Sequence, residues 1–380
     1  MTSPEFAEEV LDDLDLLRAR DPRGLLPAVA GAGAQVRETA RLTDEADLTR
    51  VTDGGRPRGL IIVARREGAV AASVLRALLG ASSPVTVDVV PGPALPVWAG
   101  PSDIAVVATR TGAGSYAVGP AYEAARRGVS LVGIGADDAP LRAACSSARA
   151  PYVALPQSRV QHTTLWSLLT PMLRLATDLG LLSAGVADPD EVAAALDEVA
   201  GECGPARESF VNPAKTLALE LLDALPVIAA EGPLAGAAAI RIADQLATLA
   251  GLPATGFRLP DQRVAACAVL GGPLAPREAD DFFRDRADDE GRRLRLLTIR
   301  DPDAGGHDGS GEREPRSAAE AMQQVLRTAG VNSVPVSGLA EHGEPGRFPR
   351  LPRLARQLAV ADFTAVYLAL ALDSERALGS

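Results

Sequence analysis

The sequence predicts an α/β protein made of two doubly wound domains, each a parallel sheet between layers of helices. Three observations carry that expectation. Short β-rich runs alternate with helical stretches along most of the chain. Hydrophobic residues make up 47% of the composition but aromatic residues only 3%, so the core must be built from Ala, Val, Leu and Ile, which suit helices packed on parallel strands. The length, 380 residues, is long for one domain and comfortable for two.

Taken in order, residues 2–20 read as one capped amphipathic helix closed by the turn Asp21-Pro22-Arg23-Gly24, packing across the first domain. Strands are expected at 58–64, 85–90, 104–109, 130–136 and 152–156, separated by helices, two of which end in a glycine suited to a left-handed cap. A long apolar helix over 162–182 contains Pro171, expected to bend it. Residues 183–212 read as a linker holding a short acidic helix, bounded by Asp188-Pro189 and Gly204-Pro205. The expected domains are therefore 1–182 and 213–380. In the second, strands are expected at 224–230, 264–272, 294–300 and 332–338. Residues 301–317, rich in Gly, Pro and charge, read as a mobile surface loop. The strongly apolar segment 354–379 reads as a helix that covers a sheet face or joins a subunit interface.

Charge and composition exclude several functions. The net charge is −11, and no Lys/Arg cluster is dense enough to form a basic groove, so neither nucleic acid nor an anionic membrane is an expected partner. No uninterrupted apolar run approaches ~18 residues, and the acidic amphipathic start is unlike a signal peptide, so a cytoplasmic protein is expected. Cys145, Cys203 and Cys267 are odd in number and widely spaced, without a CxxC pair. No metal or other cofactor is expected.

The most informative turn is ATRTGAGSYAV, at the end of an expected buried strand and the start of a helix. Backbone N–H groups at such a helix start point at an anion, and small residues let it approach. Thr109, Thr111, Gly112, Gly114 and Ser115 supply hydroxyls and bare backbone there. An ordinary strand-to-helix turn that needs glycine has the same composition.

Three stretches, in the right order and spacing, resemble the SIS-domain family of bacterial and archaeal phosphoglucose/phosphomannose isomerases. TRTGAGSYA (109–117) resembles the family's SYSGNTEET phosphate loop. The run from Asn212 to Leu246, opening NPAK, is similar to the start of its second domain and includes its arginine, here Arg241. The segment 353–372, with ADFTAVYLAL, is similar to its GDYVSVYLAL ending. The resemblance implies two SIS-like domains, a homodimer, a phosphorylated hexose as ligand, and aldose–ketose isomerisation. It also exposes departures. Ala113, Gly114, Ser115 and Tyr116 replace Asn-Thr-Glu-Glu in the loop, Arg66-Glu67-Gly68 replaces a Gly-Gly-Ser turn, and Gln161-His162 replaces Pro-Arg. The family's base motif falls on 246–250, which holds no carboxylate, and its His motif falls on FRLPDQRV, which holds no His.

The histidines are His162, His307 and His342, the last two in Gly-rich segments and read as solvated. One lysine is present, Lys215, within NPAK, read as structural or domain-linking; the family's late lysine is therefore absent. Proton transfer between C1 and C2 of a sugar needs a base, and the replacement groups available are His162, Glu231 and Asp244. Glu231 and Asp244 are each of a kind more often found on a helix surface or in a turn than in catalysis. Three functions follow for testing: a degenerate isomerase that still binds a phosphosugar and serves as a sensor or regulator, an active isomerase using relocated groups, and a structural partner of another protein.

Overall fold

The structure, a computed structural model, describes residues 4–156, 160–274, 293–301, 322, 336–338 and 349–373. It divides into two compact units, residues 23–198 and residues 1–22 with 199–380. The chain opens with α1 (Pro4–Asp12) and α2 (Leu14–Arg20), which belong to the second of these. A single helix packing across the first domain was the expectation for this segment. Asp13 breaks it, because its carboxylate turns back to accept the N–H groups of Asp15 and Leu16 at 2.9 and 3.0 Å and so caps α2.

Residues 23–198 hold α3 (Leu25–Ala30), α4 (Ala32–Ala46), α5 (Thr49–Thr52), β1 (Gly59–Ala64), α6 (Glu67–Leu79), β2 (Thr86–Val90), β3 (Asp103–Ala108), α7 (Ser115–Arg127), β4 (Ser130–Ala136), α8 (Pro140–Ser147), β5 (Tyr152–Leu155) and α9 (Leu165–Asp178). The five strands are all parallel in the order β2-β1-β3-β4-β5. The apolar runs GLIIVA and DIAVVA are buried at every position, as central parallel strands must be, whereas TVDVV of β2 lies at an edge and is only partly covered. Helices α7 and α8 close one face, where Ala117, Ala121 and Ala124, spaced one turn apart, let α7 approach Ile61, Val63, Ala105 and Val107. Helices α6, α9 and α4 pack together, α6 lying on β1. Pro171 sits inside α9. The buried face of α4 includes Gln35, Thr39 and Thr43, which is why its helical period is weak in the sequence.

Residues 189–202 hold the acidic helix expected within the 183–212 segment. They form α10 (Pro189–Glu202), which buries Val192, Ala193, Leu196 and Val199 and carries the chain from one unit into the other.

The other unit repeats the pattern with α11 (Pro213–Leu221), β6 (Ala224–Glu231), α12 (Pro233–Ala250), β7 (Thr255–Leu259), α13 (Arg263–Leu270), β8 (Arg293–Arg300), β9 (Val336–Gly338) and α14 (Arg350–Ala371). Its strands are parallel in the order β7-β6-β8-β9, the same 2-1-3-4 sequence as the first sheet without a fifth strand among the described residues. One strand expectation is corrected. Residues 264–272 are not a strand; most of them lie in α13, whose buried Ala266 and Leu270 are four residues apart, a helical rather than a two-residue period. The strand is instead TGFRL, an edge strand in which only Phe257 and Leu259 are buried. Helix α14 is long and apolar enough to cross a membrane, but it is core: it packs against α12, α11 and α1, with Leu354, Leu358, Phe363 and Tyr367 buried. The expected loop 301–317 beyond Asp301, with His307, and His342 lie outside the described residues.

Candidate functional site

In the order 2-1-3-4-5 the chain reverses direction across the sheet between β1 and β3, and the crevice at the carboxyl ends of those strands is where such folds place ligands. The turn from β3 into α7 lies there and gathers Thr109, Thr111, Gly112, Gly114 and Ser115, all five residues singled out in the sequence. Gly112 has φ +60° and is buried; a Cβ there would meet Ala139 Cβ at 2.3 Å and Tyr152 Oη at 3.0 Å. Its carbonyl accepts the Leu141 N–H at 3.0 Å, which ties the turn to α8. Gly114, φ +93°, caps α7 without a side-chain hydrogen bond, leaving the N–H groups of the first turn to backbone, solvent or ligand. Thr111 and Ser115 are exposed, and the Thr111 hydroxyl accepts the Ala113 N–H at 3.4 Å. Thr109 is buried, its Oγ1 2.7 Å from Tyr116 Oη.

Across the crevice, β1 is followed by Arg65 and Arg66, and Glu67 opens α6. The Arg65 guanidinium stacks 4.5 Å from the Tyr116 ring centroid while its Nε donates to the Pro91 carbonyl at 2.7 Å. Arg66 caps α6 at φ +50°, ψ −125°, a conformation that favours glycine and costs about 1–3 kcal/mol. Glu67 is buried, and its carboxylate accepts the Thr164 N–H at 2.9 Å and the Thr164 hydroxyl at 2.6 Å, so it joins the start of α6 to the cap of α9. His162 lies in the loop before α9, buried and at φ +72°.

The other two candidate bases belong to the second unit. Glu231 ends β6, half-buried, with Oε2 3.6 Å from Arg300 Nε. Asp244 is exposed on α12, while its neighbours Arg241 and Gln245 turn inward to Asp362 on α14. At the next strand end Asp301 is held by Arg350, Nη2 to Oδ2 at 2.7 Å.

Lys215 is structural. Its buried ammonium donates to Asp12 Oδ1 at 3.1 Å and to the carbonyls of Pro205 and Arg207 at 3.0 and 2.6 Å, 5.6 Å from the Tyr367 ring, which fastens α1 to α11. Burial lowers its pKa against the opposing pull of Asp12. Asn212 caps α11 through the N–H groups of Ala214 and Lys215, and Pro213 takes the first position, where its missing N–H costs nothing. The NPAK sequence is thus a cap and a staple. The thiols of Cys145 and Cys203 are buried, which pushes both up to about 12. Among the described residues no three His, Cys, Asp or Glu side chains converge as a metal site.

Sequence reasoning found the turn and missed what surrounds it. Tyr116 entered the sequence reading only as a departure from a motif, and its contact with Thr109 was missed. The signal that could have found it is that a side chain in a helix's first turn leans back toward the helix start.

Residues 210–375 match the family model described as the bacterial phospho-glucose isomerase C-terminal SIS domain. No curated protein matches the chain. Solved structures share its fold over nearly its whole length. A hypothetical protein of Thermus thermophilus superposes with TM-score 0.62 at 16% identity, over 97% of this chain and 89% of the other. A protein of Clostridium novyi assigned as a tagatose-6-phosphate ketose/aldose isomerase gives 0.58 at 11% identity, over 97% and 95%. The C-terminal domain of glucosamine-fructose-6-phosphate aminotransferase from Francisella tularensis gives 0.51 at 12% identity, over 92% and 96%. Residues 210–375 thus carry a C-terminal SIS domain of the bacterial phospho-glucose isomerase kind, and the chain as a whole shares the fold of these solved structures.

Proposed function

We propose that this protein binds a phosphorylated hexose and does not isomerise it, acting as a sensor or regulator in sugar-phosphate metabolism, as a cytoplasmic homodimer. The phosphoryl group is received by the turn Thr109 to Ser115, with Thr111 and Ser115 hydroxyls and the first N–H groups of α7 as donors. One observation carries the absence of turnover. Residues 246–250, which the family resemblance equates with the base motif, are Leu-Ala-Thr-Leu-Ala: Leu246 and Leu249 are each 1% exposed in the core, and the residues between them carry no carboxylate. Without a carboxylate there, C1–C2 proton transfer lacks its carrier.

Pure protein assayed with glucose 6-phosphate and mannose 6-phosphate tests this. Heat stabilisation by these ligands without product formation is the expected result; turnover at ~1 to 1,000 per second overturns it. An active isomerase is the second reading, and the position of Glu231 favours it, a half-buried carboxylate at the strand end where the second sheet reverses. On that reading Glu231→Gln abolishes the activity. A third, a purely structural partner, predicts no stabilisation by any hexose phosphate.

A further inference from the structure

Tyr116 is half-buried and held at its hydroxyl, its ring and its backbone carbonyl. Its hydroxyl is 2.7 Å from Thr109 Oγ1 at the end of β3. Its ring runs back over Gly114, so closely that a Cβ on Gly114 would lie 3.0 and 3.1 Å from two ring carbons. The Arg65 guanidinium covers it at 4.5 Å. Its backbone carbonyl is pressed against Gly92, where a Cβ would come within 2.3 Å. The ring therefore bridges the strand end and the helix start, the two sides between which an anion must enter the turn, and it occupies the face of Arg65 as well.

We propose that Tyr116 is the specificity-determining gate of this turn: the ring closes it, and a ligand enters only by exchanging its own phosphoryl group for the ring on Arg65. This rests on the reading of the turn as the phosphosugar site and names what controls access to it. A phosphoryl dianion pairs with a guanidinium more strongly than an aromatic face does, so it can compete for Arg65. A neutral sugar has nothing to offer the arginine and leaves the gate shut. One hydrogen bond and one cation–π contact of ordinary strength hold the closed form in about ten- to thirtyfold excess, and the apparent affinity falls by that factor.

Calorimetric titration of the full chain with inorganic phosphate, fructose 6-phosphate and fructose tests the gate in wild type, Tyr116→Ala and Tyr116→Phe. Tyr116→Ala is expected to bind both phosphate ligands at least about tenfold more tightly than wild type. Tyr116→Phe keeps the ring and loses the tether to Thr109, so it falls between the two and carries the test if the alanine variant does not fold. Fructose gains nothing in either variant. Wild type too weak to measure with a measurable Tyr116→Ala also supports the gate. Unchanged or weaker binding of fructose 6-phosphate by the variants, with wild type binding it, overturns the gate and leaves the phosphosugar reading standing. A parallel gain for fructose overturns it too, since removing bulk alone would then explain the effect. No binding of any ligand at about 10 mM by any of the three proteins overturns both the gate and the reading beneath it.

Discussion

Arg241 and Asp362 form a two-pronged ion pair, with Nε donating to Oδ1 at 3.0 Å and Nη2 to Oδ2 at 2.8 Å, 2% and 6% exposed, respectively. The two residues come from separate stretches of the family resemblance, and the structure joins them to each other. Gln245 Nε2 adds a third donor to Asp362 at 3.1 Å, so α12 and α14 are cross-braced through one carboxylate. Parallel hydrogen bonds of this kind need the planar guanidinium, which a lysine does not supply.

Asp362→Asn keeps the shape of the brace but removes the negative charge that pairs with the buried Arg241 guanidinium. It is expected to destabilise the protein by about 3–5 kcal/mol in urea denaturation. Arg241→Lys is expected to cost nearly as much. A loss below about 1 kcal/mol in both variants would show that the pair is no brace.

Gly112 carries the turn at φ +60° and leaves no room for a methyl group beside Ala139. Gly112→Ala combines backbone strain with overpacking and is expected to cost at least about 2 kcal/mol and to weaken fructose 6-phosphate binding. Gly55, also at positive φ but with nothing within 4 Å, provides the control. Gly55→Ala is strained without a clash, so thermal denaturation should show a smaller loss there and calorimetry an unchanged affinity.

Asp103 is buried at the start of β3, where Arg58 Nε donates to its Oδ1 at 2.9 Å and the Gly100 N–H to its Oδ2 at 2.9 Å. Burial pushes its pKa up, but Arg58 and the backbone N–H groups of Gly100 and Gly59 together outweigh burial, and the net shift is downward. A carboxylate depressed in the folded state stabilises the fold above its unfolded pKa of about 3.9, and that contribution disappears as pH falls through the folded value. Stability measured from about pH 6 to pH 2 should therefore fall less steeply in Asp103→Asn than in wild type. An identical acid slope would remove Asp103 from the account.

Much of this was legible in the chain because parallel strands buried on both faces read as unbroken apolar runs. GLIIVA, DIAVVA and SLVGIGA sit within one residue of where the sequence put them. The edge strand TGFRL was not legible, since three of its five residues are exposed and it carries no apolar run. Its neighbour RVAACAVL was misread for the opposite reason, because β-branched residues outweighed a short helical period. The turn at 109–115 was legible from its glycines and hydroxyls. The partners were not: Glu67 with Thr164, Tyr116 with Arg65 and Arg241 with Asp362 are 97, 51 and 121 residues apart, and no local pattern joins such pairs.

The most direct test is a crystal of the protein soaked in fructose 6-phosphate. The account predicts the sugar intact, its phosphoryl group on Thr111, Ser115 and the first turn of α7, and the Tyr116 ring displaced from Arg65. A phosphoryl group bound elsewhere, with the turn still closed by Tyr116 at saturating ligand, would contradict it.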